Sequence, residues 1–216
     1  MTRGRSRGVL ALLAVLPWLM HLTACARAVD GEPRPSPAAV TLPASAEDLE
    51  ELVVAEVPSG LPRLPDADLD PPAGAKRLED IAHYADDPAR ELEVLREFGY
   101  RHGWERFWGS GSGPMTGVFV DQFESRAGAG AYAEDLARND AEHYDGVLHS
   151  NPPGLPGGCR MLTVDGGPEL SGPTAFVWCS HGVFSVSVTA VAESKDAAEE
   201  EVRAVLFEQL DRLPPG

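Results

Sequence analysis

The stretch CRMLTVDGGPELSGPTAFVWCSHGVFSVSVTAV, residues 159–191, decides the fold. Turn-rich breaks divide it into three runs of strand character: Cys159 to Val164, Thr174 to Cys179, and a run beginning near Phe184. A symmetric hairpin centred on Glu169 sets Cys159 opposite Cys179. A tight turn over Ser180-His181-Gly182-Val183, with His181 and Gly182 in the middle, sets Cys179 opposite Phe184, Val177 opposite Val186 and Ala175 opposite Val188. One face then collects Cys159, Met161, Ala175, Val177, Cys179, Phe184, Val186 and Val188. Neither turn was placed by polarity, yet together they give a nearly all-apolar face. A one-residue slip would expose that whole set, so the parity is strongly specified.

The elements around this sheet follow from local signals. Asp196 with Glu199 reads as a capping box, and Ala198, Val202, Val205, Leu206, Leu210 and Leu213 form one helical stripe to lay on the apolar face. Ser125 caps a helix running to about Asn139, with Ala129, Tyr132, Ala133 and Leu136 as its stripe. Tyr100 to Trp108 and Thr116 to Phe123 flank a glycine-rich turn as a hairpin, with Tyr100, Trp104 and Trp108 on one face and Phe107 on the other. Asp87-Pro88 starts a helix that Gly99 ends. Leu78, Ile81 and Ala82 suggest a shorter one, and Ser45 caps another near 46–56; residues 57–75 are proline-rich and irregular. The expected class is α+β: an antiparallel sheet with helices packed mainly on one face and one disulfide within the sheet.

The N-terminus reads as an address. Arg3, Arg5 and Arg7 precede a 12-residue apolar run, Val9 to Met20, too short to span a bilayer, which needs about 20 residues. No twin-arginine pair is present, so the general secretion route is expected. The run ends at Leu22-Thr23-Ala24-Cys25, which resembles the lipobox of bacterial lipoproteins. That resemblance implies a signal peptide over 1–24, lipidation of Cys25, and anchoring by two or three acyl tails, where one binds only marginally. Residues 25–44 carry Pro33, Pro35, Pro37 and Pro43 and read as an extended tether; its 19 residues after Cys25 could reach roughly 60 Å at about 3.3 Å each. Residues 45–214 form the extracytoplasmic domain. Loss of three leader arginines takes the formal charge from −16 to −19, which disfavours nucleic acid and anionic membrane surfaces. With Cys25 acylated, Cys159 and Cys179 remain as a cross-strand pair for a disulfide.

No residue set fixes an activity. Trp104, Arg106 and Trp108 on the first hairpin, with Phe176 and Trp178 on the other face of the second, make an aromatic, cation-friendly ligand or partner surface if they converge. The plainer reading of Phe176 and Trp178 is a second small core under the N-terminal helices. His83, His102, His143, His149 and His181 have no metal-site spacing, so no metal and no cofactor are expected. Gly109-Ser110-Gly111-Ser112-Gly113 lacks the lysine of a phosphate loop, and strand follows strand where a nucleophile elbow needs strand then helix. Glu134, Asp135 and Asp140 read as a solvated helix face.

The domain resembles secreted domains of actinobacterial lipoproteins through Leu95-x-x-Phe98-Gly99-Tyr100-x-x-Gly103-Trp104-x-Arg106-x-Trp108, followed by the strand-to-helix run Val118 to Ala133. That implies an envelope protein and no substrate. The expectation is a lipoprotein held on the outer face of the cytoplasmic membrane, not an enzyme, binding an unknown envelope ligand or protein. One rival is an envelope hydrolase, which needs a histidine with Asp121 or Glu124 near a serine. Another is a structural or assembly subunit, which needs Phe176 and Trp178 as an open patch.

Overall fold

The computed structural model describes residues 41–110, 113–167 and 170–216. Cys25, the leader, the tether up to residue 40, Gly111, Ser112 and the hairpin centre Glu169 lie outside the described residues. Among the described residues no helix is long and apolar enough to cross a membrane.

The fold is α+β, built on one open antiparallel sheet of seven strands. In chain order these are β1 (Gly74–Lys76), β2 (Tyr100–Gly109), β3 (Met115–Phe123), β4 (His149–Ser150), β5 (Arg160–Val164), β6 (Thr174–His181) and β7 (Phe184–Val191). Their spatial order is β1-β2-β3-β7-β6-β5-β4, so the two hairpin groups join where β3 pairs with β7. The described helices are α1 (Ala46–Glu50), α2 (Leu78–Ala82), α3 (Pro88–Phe98), α4 (Arg126–His143) and α5 (Lys195–Arg212).

Arg160 pairs with Trp178, the symmetric register expected for the β5–β6 hairpin, and Cys159 and Cys179 are joined by a disulfide with Cα atoms 4.3 Å apart. The β6–β7 turn lies one residue later than expected. His181 pairs with Phe184, leaving Gly182 and Val183 as the turn, so Cys179 faces Val186 and Val177 faces Val188. Gly182 has φ 59°, and glycine is the residue that takes a positive φ at the first turn position without strain. Moving the turn by one residue moves every partner by two. Side-chain parity is unchanged, and the apolar face survives intact.

That face packs against α5 through Ala198, Val202, Val205 and Leu206, and against α1 and residues 52–57 through Leu49, Val53, Val54 and Val57. The cap of α5 is Ser194, whose hydroxyl accepts from Ala197 N–H at 3.2 Å, in place of the expected Asp196. α1 keeps its expected Ser45 cap but ends at Glu50, sooner than 46–56 implied. α4 continues four residues past Asn139, to His143. Asp87 caps α3, and Gly99 closes it at φ 76°. β1, at the end of the stretch expected to be irregular and one residue beyond it, pairs with β2.

Helix cover is shared between the two faces. α2, α3 and α4 pack on the side opposite α5, through Ile81, Leu95, Tyr100, Phe123, Ala129 and Tyr132 and, further along, Ala133, Ala137, Leu162, Phe176 and Trp178. Tyr100 belongs here and not with Trp104, because an irregularity between Tyr100 and His102 inverts its parity. Pro43, placed in the tether, is buried, and its carbonyl accepts from Gln122 Nε2 at 3.1 Å.

Candidate functional site

Sheet parity separates the residues expected to form one aromatic surface. Trp104 faces Val120 across the β2–β3 ladder, Val120 faces Val186, and Val186 faces Cys179. Trp104, Arg106 and Trp108 therefore share the disulfide's face. Phe176 and Trp178 alternate with Val177 and Cys179 and point the other way. The two groups do not converge.

On the disulfide's face Arg106 and Trp108 hold down the chain after α1, while the buried Trp104 indole N–H has no hydrogen-bond partner. Arg106 is buried, and its Nη1 donates to the carbonyls of Val53 at 3.2 Å and Val54 at 2.8 Å. Its Nη2 meets Glu50 at 3.3 Å, and Trp108 Nε1 donates to the Ala55 carbonyl at 3.3 Å. Gln209 completes this clasp: its Oε1 accepts from Val54 N–H at 3.0 Å and its Nε2 donates to the Leu52 carbonyl at 2.9 Å. Most of these polar atoms are spent on backbone, with Arg106 Nη2 on the Glu50 carboxylate and Arg106 Nε unpartnered. They make a structural clasp, with no surface offered to a ligand.

The opposite face holds a cavity of about 570 Å³, within the range of small-molecule sites. Its sheet side comes from Glu105 and Phe107 of β2, Phe119 and Asp121 of β3, Phe176 and Trp178 of β6, and Ser187 and Thr189 of β7. Tyr132, Leu136, Asn139 and Asp140 of α4 form one wall; Glu91 of α3, Ile81 of α2 and Tyr84 form another; Leu69, Asp70 and Pro71 close a third side. Phe176 and Trp178 stack in parallel with centroids 5.7 Å apart, and Tyr144 stacks on Phe176 at 5.1 Å. Phe176 and Trp178 form a small core of their own, but not under the N-terminal helices as expected. They pack under α4 and also line the cavity, and with 6% and 3% of their surface exposed they form no open patch.

The polar end is built on charges inside strands. Lys76 and Glu105 pair at 2.9 Å with about 3% and 2% exposure. Lys76 Nζ also donates to the Pro72 carbonyl at 2.6 Å and lies 2.7 Å from Tyr84 Oη, which donates to Glu105 Oε2 at 2.9 Å. Glu105 Oε1 has no hydrogen-bond partner, nor do the hydroxyls of Ser185 and Ser187. Burial raises the Glu105 carboxyl against the pull of Lys76. Asp121 is pushed up to about 8, first by burial and then by the charge of Glu105, while the Tyr100 hydroxyl opposes the rise. A Cβ at Gly103 would occupy the space of Asp121 Oδ1 and Tyr100 Oη, so glycine there makes room for this pair. Asp140, expected on a solvated face, turns toward the cavity and is raised to about 6 by burial.

Asp121 and Ser187 line the cavity, but none of the described histidines does, so the trio on which a hydrolase reading depended is not assembled there. His181 instead lies with Nε2 3.0 Å from the Pro214 carbonyl. The glycine–serine loop is bounded by β2 and β3, strand on both sides. No group of three or more histidine, cysteine or carboxylate residues suited to a metal occurs among the described residues. Glu105, Lys76, Tyr84 and Asp140 were missed as site residues. A carboxylate between aromatic residues of one strand, as at Glu105 between Trp104 and Phe107, was the available signal. Comparison with protein-family models, curated proteins and solved structures finds no match to this chain.

Proposed function

We propose that this chain is a membrane-anchored extracytoplasmic lipoprotein whose domain binds a small envelope ligand without transforming it. The observation that carries the binding reading is the aromatic-walled cavity with unpartnered buried polar atoms at one end. A cavity that served packing alone gains nothing from an orphan carboxylate oxygen, which costs free energy until something donates to it. The anchor reading is supported by the order of basic segment, short apolar run, Leu22-Thr23-Ala24-Cys25 and proline-rich segment.

Native mass spectrometry of the full chain released from its own membranes tests the binding reading. A retained small molecule is expected, and Thr189→Trp, which fills the cavity from its sheet side, removes it. A protein partner retained in place of a small molecule would favour an assembly role. Cys25→Ser tests the anchor: palmitate incorporation and sedimentation with vesicles should both be lost, and their persistence defeats it.

A further inference from the structure

We propose that the cavity takes an organic monocation, an amine or quaternary ammonium group carried on an apolar or aromatic body. This rests on the cavity being a ligand site. Its lining holds five carboxyl groups, Asp70, Glu91, Glu105, Asp121 and Asp140, and no basic side chain. The nearby Lys76 offsets one of these charges through its pair with Glu105, and with Glu105, Tyr84 and the Pro72 carbonyl on its three donor positions it has no donor left for a ligand. Glu105 Oε1, on a side chain only 2% exposed, is left as an acceptor without a donor. The aromatic side chains of Phe107, Phe119, Phe176, Trp178 and Tyr132 supply the rest of the enclosure, and aromatic rings attract cations. An anion would meet five acids. A neutral apolar molecule would leave Glu105 Oε1 unpaired.

The groups facing Asp121 come from several elements: Lys76 of β1, Tyr100 and Glu105 of β2, and Tyr132 of α4. Tyr84 faces Asp121 as well, Glu91 of α3 and Asp140 of α4 add further acids to the cavity, and His143 of α4 faces Asp140 and opposes its rise. With Asp121 held near 8 and Asp140 near 6, a bound cation draws a proton out of the site, and cation affinity rises with pH across that range.

Three soluble probes of one shape test this on the full chain: 2-phenylethylammonium, 2-phenylethanol and 3-phenylpropionate, followed by the indole N–H signal of Trp178 and by calorimetry in buffers of different ionisation heat. The ammonium should bind at least about tenfold more tightly than the alcohol at pH 8.5, release protons on binding at pH 7, and lose most of that advantage at pH 5. The carboxylate should bind weakest. Asp140→Asn, at the cavity's edge and not in the Lys76–Glu105 pair, should narrow the ammonium-to-alcohol ratio and leave the alcohol unchanged. Equal binding of ammonium and alcohol overturns the cation assignment while sparing the ligand site. No binding of any probe overturns both.

Discussion

The two faces of the sheet solve the same packing problem differently. On the disulfide's face, apolar side chains meet α5 and α1, and the buried polar atoms of Arg106 and Gln209 are largely spent on backbone carbonyls and amides. On the α4 face, the strands present Glu105, Asp121, Ser185 and Ser187 among aromatic rings, and several of those polar atoms have no partner. The first face converts burial into stability. Unpartnered polar atoms occur on both faces, Trp104 Nε1, Arg106 Nε and Gln122 Oε1 on the first, but the second leaves a cavity beside its own, and the difference teaches where ligand chemistry belongs on this protein.

Thermal and denaturant unfolding of variants sharpens that contrast. The largest loss is expected for Lys76→Met, about 3–5 kcal/mol, because it strands a buried carboxylate. The double replacement Lys76→Met with Glu105→Met should recover most of it, and a loss as large as the single variant's would show that the pair itself stabilises the face. Close behind, Leu206→Ala on the α5 side should cost about 2–5 kcal/mol through the cavity it leaves. Replacing both Cys159 and Cys179 by serine should cost about 3 kcal/mol, the loop-closure value for a crosslink of this span.

Acidity separates the faces next. Asp121 is raised from 3.8 to about 8, and Asp140 from 3.8 to about 6. Below about pH 4 both states hold these protons. Between pH 4 and 8 the unfolded chain releases the Asp121 proton while the folded chain keeps it, so the contribution of this group to stability is greatest in acid, falls as pH rises, and levels off above 8. The slope from each such group is at most about 1.4 kcal/mol per pH unit. Asp121→Asn should flatten it; an unchanged slope would mean that the carboxyl is ionised throughout. The smallest effect is expected for Ser187→Ala. Its hydroxyl has no partner, so removal should leave stability within about 0.5 kcal/mol or raise it slightly. A loss of 2 kcal/mol or more would show that Ser187 is bonded within the fold and not held for a ligand.

Local chemistry made much of the architecture legible before any coordinates. Asp87-Pro88, Ser125 and Ser45 begin their helices as read, because a cap is satisfied by neighbours two or three residues away. Period-two alternation over 159–191 set which side chains share a face, and it tolerated a misplaced turn because the displacement kept parity. β1 escaped notice because a three-residue edge strand carries too little pattern to register. Asp140 passed for a solvent residue because charge on a helix normally faces water, and only the approach of α4 to the sheet changed that.

The alternation and the paired cysteines by themselves determined an antiparallel, disulfide-closed sheet with α5 on its apolar side. Only the tertiary structure decided that Trp104, Arg106 and Trp108 lie on the far side from Phe176 and Trp178, and that Lys76, Glu105, Asp121 and Asp140 gather around one cavity. The physical reason is range. Caps and strand periods are contacts between near neighbours in the chain, whereas the junction of β3 with β7 joins residues about 70 positions apart, and no local preference encodes its register.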